Sequence, residues 1–78
     1  MLQKGGKKMT LAQLRYVITV AQLGTLSSAA KRLYISQPSL TSAIKELEKE
    51  LGITIFIRTN KGVVLSRQGE EFLGYARQ

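Results

Sequence analysis

Between positions 10 and 51 the apolar residues recur every three or four places, and after Gly52 that rhythm changes. The first run, Leu11, Leu14, Val17, Ile18 and Ala21, places one apolar stripe along a helix. Thr10 opens it. Thr10 and Gln13 have capping-box spacing, so the hydroxyl accepts from the amide at 13 and the glutamine side chain reaches back. Gly24 closes it, because glycine takes a positive φ at little cost. A second, shorter helix follows, capped by Thr25 or by Ser27, with Leu26, Ala29, Ala30 and Leu33 on its inner face. The two alanines either admit a crossing helix at close range or simply reflect helix propensity.

Tyr34, Ile35 and Ser36 make a short turn, and Ser36 is a good N-cap for the next helix. Pro38 falls in the first turn, where its missing N–H costs nothing. This third helix is expected from 37 to about 51, ended by Gly52, with Leu40, Ile44, Leu47 and Leu51 as its buried stripe. Two helices joined by so short a turn form a helix-turn-helix pattern. Residues 53–58 and 63–65 are rich in β-branched side chains, and residues 59–62 between them supply turn chemistry, so a hairpin is expected. Ser66 then caps a last helix whose Phe72, Leu73 and Ala76 share a face. The expected fold is mainly α: a winged helix-turn-helix of three helices, a two-stranded hairpin wing and the start of a C-terminal helix. Residues 1–8 are expected as a flexible basic arm or an expression remnant, residues 9–66 as the folded domain, and residues 67–78 as the opening of a linker helix.

Composition removes whole classes of function. The 78 residues contain no Cys, His or Asp, and the only carboxylates are Glu46, Glu48, Glu50, Glu70 and Glu71. Disulfides, thiolate zinc sites and the commonest general base are therefore excluded, so neither an enzyme nor a cofactor is expected. The apolar run at 53–57 is far short of the roughly 20 residues that span a bilayer. A membrane-surface binder would need a free apolar face, whereas the stripes here are needed for a core. A cytoplasmic location fits the absence of cysteine and of any signal-peptide pattern.

Charge makes the positive case. Twelve Lys and Arg against five Glu give +7, and from residue 1 to 45 there are cations but no acid. One sign of charge over half a chain either attracts a polyanion or serves solubility. The third helix decides between them. Its first turns offer Gln37, Ser39, Thr41, Ser42 and Lys45 at the positive end of the helix dipole, and acids begin only at Glu46. Such a rod fits the major groove of duplex DNA, where Gln pairs with adenine and Ser or Thr reaches several bases. Gln37 has no evident structural duty. Pro38 serves equally as a helix initiator or an apolar base contact. Ser36 reads foremost as a cap beside phosphate, and Lys45 reads as a phosphate contact or a solvated cation. At the hairpin turn, Asn60 and Lys61 are placed to meet the minor groove or the backbone. Arg58 either joins them or pairs with a glutamate. Thr25, Ser27, Lys31 and Arg32 on the second helix are candidate phosphate contacts, which position without specifying. A protein-interaction module is the main competitor, and the acid-free first half argues against it.

The motifs Gln13-Leu14-Arg15-Tyr16, Gly24-Thr25-Leu26-Ser27, Ala29-Ala30 and Ser36-Gln37-Pro38-Ser39-Leu40-Thr41 stand at the spacings of LysR-type regulators. So do Leu47-Glu48, Leu51-Gly52, Phe56, Arg58 and Gly62, so that the chain resembles this family over roughly residues 9–78. The resemblance implies bacterial, sequence-specific double-stranded DNA binding in transcription regulation, with the third helix in the major groove. It matches Gln37, Pro38, Thr41 and Ser42 to base contacts and Lys61 to the wing residue near the minor groove. It further implies a last helix that pairs two subunits, a homotetramer in a full-length protein, and a small-molecule co-inducer held by a domain outside this chain. On that comparison the sequence reads as an isolated DNA-binding fragment or a truncated relative. Ser42 stands where the family usually has a long Arg, Ile57 replaces a common acid, and Arg67 falls where an acid is frequent.

Overall fold

A computed structural model of the chain describes residues 10–76, which form α1 (Leu11–Leu23), α2 (Leu26–Leu33), α3 (Gln37–Leu51), β1 (Phe56–Thr59), β2 (Gly62–Leu65) and α4 (Arg67–Ala76). The expected basic arm over 1–8 lies outside the described residues.

The helix starts are set by side-chain caps. Thr10 and Gln13 form the reciprocal capping box, each bond 3.0 Å long. Of the two candidates for α2, Thr25 is the cap, accepting from the Ser28 amide at 3.1 Å. Ser36 caps α3 by accepting from the Ser39 amide at 3.2 Å, and Pro38 occupies the first turn. Gly24 and Gly52 end α1 and α3 in left-handed conformations. Ser66 heads α4, accepting from the Gly69 amide at 2.8 Å while its own hydroxyl donates to the Thr54 carbonyl.

The core has two lobes. Val20, Ala29, Ala30, Leu40, Ile44 and Val63 form one, between the three helices and the hairpin. Val17, Leu47, Ile55 and Leu73 form the other, under α4. Phe56 packs against both. The alanine pair is buried in the first lobe with residues of α1, α3 and the hairpin, as an inner face of α2 requires.

Two expected core positions fail. Leu11 is 81% exposed because, as the first residue of α1, it precedes the turns that reach the neighbouring helices. Leu51 is 41% exposed at the last residue of α3, where the chain is already turning away through Gly52.

The hairpin is antiparallel, with Phe56 opposite Leu65 and Thr59 opposite Gly62, so its loop is only Asn60 and Lys61. The strand begins three residues later than expected. Residues 53–55 spend their backbone groups elsewhere: the Ile53 amide bonds the Glu48 carbonyl at 3.2 Å, and the Ile55 carbonyl accepts from Ser66 at 2.8 Å. A second anchor fixes the hairpin to the helices, since the Val63 amide donates to the Gly24 carbonyl at 2.9 Å. Gly62 permits that approach. At φ 147°, a Cβ there would stand 2.2 Å from the same carbonyl oxygen.

Candidate nucleic-acid interface

The first turns of α3 present a mostly polar face without acids. Gln37, Pro38 and Ser42 are exposed, Thr41 is half-buried, and the four line one shallow concavity of about 450 Å³. No acid lies in the first turn, so nothing there offsets the positive end of the helix dipole. Ser39 is also exposed but does not line the concavity; its hydroxyl accepts from the Ser36 hydroxyl at 2.8 Å. Ser36 and Ser39 thus act together as the cap that orders this end of the helix.

Thr41 connects this face to a second, narrower cleft of about 70 Å³ between α2, α3 and the hairpin. Lys45 and Arg58 both line it, above a floor of Leu26, Ile44 and Phe56. The sequence left Arg58 between a wing contact and a pairing with a glutamate; in the fold it is exposed and lines this cleft together with Lys45 and Glu48. Lys61 and Asn60 occupy the hairpin tip and are exposed. The Lys61 amide donates to the Thr59 hydroxyl at 3.2 Å, which orders the backbone that carries the cation. Ser27, Lys31 and Arg32 are exposed on α2, whereas Thr25, the N-cap of α2, is half-buried.

One residue of the site's framework was not foreseen in its role. The sequence showed Glu48 only among the acids that begin at Glu46 and within the Leu47-Glu48 motif, with no role of its own. In the fold its Oε2 accepts from the amides of Ile55 at 2.7 Å and Phe56 at 3.2 Å. A carboxylate on the third helix therefore holds the entry to the hairpin, and so sets how wing and helix lie relative to each other. Its place in the Leu47-Glu48 motif was the available signal.

A helix whose polar, acid-free face is exposed beside a cationic hairpin defines a winged helix-turn-helix DNA-binding domain. The family model for bacterial regulatory helix-turn-helix proteins of the lysR family matches residues 11–70, and the chain belongs to that family. It is thus a transcription-regulator domain and not an enzyme. The chain is 49% identical over 70 residues to the HTH-type transcriptional regulator ClcR of Pseudomonas putida, a match covering 90% of this chain and 24% of ClcR. Among solved structures, it is similar to the CbnR DBD–DNA complex, with a TM-score of 0.83, 42% identity and coverage of 88% of this chain and 79% of that one. It is also similar to OxyR of Corynebacterium glutamicum, with a TM-score of 0.86, 39% identity and coverage of 91% of this chain and 23% of that one. The chain thus spans about a quarter of the length of the full regulator ClcR. No helix among the described residues is long and apolar enough to cross a membrane.

Proposed function

We propose that this domain reads double-stranded DNA with base preference, α3 entering the major groove and the hairpin tip lying over the adjacent minor groove. The observation that carries the reading is the outer face of α3, where Gln37, Pro38, Thr41 and Ser42 line one open concavity with no acid among them. Gln37 is assigned to an adenine edge, Thr41 and Ser42 to hydrogen bonds with base edges, and Pro38 to an apolar contact such as a thymine methyl. Ser39 joins Ser36 in holding the helix start. Lys45, Arg58, Ser27, Lys31 and Arg32 serve the phosphates, with Thr25 and Ser36 presenting backbone and hydroxyl beside them. Asn60 and Lys61 supply the minor-groove end of the footprint.

The similarity to CbnR DBD bound to DNA supports this reading. Within a whole regulator, α4 would pair two subunits, pairs would assemble into a homotetramer, and a small-molecule co-inducer would bind a domain beyond this sequence. The working location would be the bacterial cytoplasm, where the DNA is.

Random-site selection with the 78-residue chain, followed by gel shifts on selected and mismatched duplexes, tests the assignment. Gln37→Ala should cost about 1–3 kcal/mol on the selected site and flatten preference at one base position. Lys61→Ala should weaken all duplexes evenly and lower the salt slope by about 1. Equal losses on every sequence for both variants would reject these roles.

A further inference from the structure

Three helices end on a left-handed residue: α1 on Gly24, α3 on Gly52 and α2 on Tyr34. Tyr34, at φ 60° and ψ 39°, is the only non-glycine residue with positive φ among those described. Its backbone conformation has a local cause. The Ile35 amide bonds the Ala30 carbonyl at 3.1 Å and the Tyr34 amide bonds the Lys31 carbonyl at 3.2 Å, the paired closure of a Schellman motif. That closure needs a left-handed residue, and glycine or asparagine fills it with least strain. The choice of tyrosine is what the closure leaves unexplained.

Nothing among the described residues compensates for it. The side chain is 93% exposed, the most exposed large apolar residue of the described chain, so neither core packing nor shielding of the ring holds it there. Its surroundings point outward to a polyanion. Tyr34 directly follows the last turn of α2, with exposed Lys31 and Arg32, and precedes the Ser36 cap and Gln37. It lies in the short turn that leads from the cationic end of α2 into the first turn of α3. A phenol is a hydrogen-bond donor, and tyrosine is among the side chains that contact phosphate oxygens.

We propose that Tyr34 is a further DNA contact, its hydroxyl donating to a phosphate oxygen of the strand that borders the major groove at the start of α3. This rests on the groove reading of α3. It makes the turn between the two helices part of the binding surface and accounts for a tyrosine at a strained cap position where its side chain packs against nothing in the core.

Fluorescence anisotropy on a labelled mixed-sequence duplex at low salt, with thermal unfolding in parallel, separates the possibilities. Such a duplex suffices because a phosphate contact is independent of sequence. Tyr34→Phe should lower affinity roughly tenfold with Tm unchanged. Its salt slope should match the parent, since a neutral phenol releases no counterion. Tyr34→Gly should lose at least as much affinity while Tm stays level or rises, as the left-handed strain is relieved. A Tyr34→Phe variant that binds as tightly as the parent overturns the proposal. A parent chain that ignores the duplex overturns the groove reading on which it rests.

Discussion

Single atoms decide several positions in this small domain. Gly69 is buried in the first turn of α4, and a Cβ there would stand 2.2 Å from the Ile55 carbonyl oxygen, which already accepts from the Ser66 amide. The opposing atom belongs to backbone, so no rotamer change relieves the clash. Gly74, on the same helix, meets nothing within 4 Å. The two glycines should therefore answer alanine in opposite directions. Gly69→Ala should destabilise by about 1–3 kcal/mol or more. Gly74→Ala should stabilise by up to about 1 kcal/mol through helix propensity. At about 4–8 °C in Tm per kcal/mol for a domain this size, thermal unfolding resolves both signs. A glycine in a sequence does not say which kind it is. Gly24 and Gly52 were legible because each ends a periodic run, whereas the need for Gly69 lies in a segment fourteen residues away that only the fold brings near.

Among elements, the relation of α3 to the hairpin matters most, and Glu48 is its fastener. Glu48→Ala leaves the amides of Ile55 and Phe56 without their acceptor and should cost about 2 kcal/mol. Glu48→Gln keeps a carbonyl oxygen for the same bonds and loses only the charge assistance, so its loss should be smaller. Denaturant unfolding of the pair measures the difference; equal losses would show that the ionic charge, not the acceptor, matters. The helices themselves were legible because amphipathic period and caps agree at Thr10, Ser36, Gly24 and Gly52. The start of β1 was not. Residues 53–55 have strand composition but are claimed by Glu48 and by the Ser66 cap, a tertiary demand that overrides propensity. The same logic governs the site. That Gln37, Thr41 and Ser42 share a face follows from helical spacing alone, while the cleft that Lys45 and Arg58 both line depends on where the hairpin docks.

At the scale of the whole molecule, charge sets the strength of binding. Exposed cations stand on α2, in mid-α3, on β1 and at the hairpin tip, and the proposed docking would bring several of them to the phosphates at once. With about four phosphates neutralised per domain, log K against log salt should fall with a slope of about −3.6. Titrations over a range of salt read the slope directly, and a slope near zero would remove phosphate contacts from the mechanism.

Phe56 begins the wing and also touches both lobes of the interior. One ring therefore joins the helical body to its hairpin, and neither lobe can loosen without disturbing the other. The reading head should arrive at DNA already assembled, with no ordering of a slack arm to oppose the encounter.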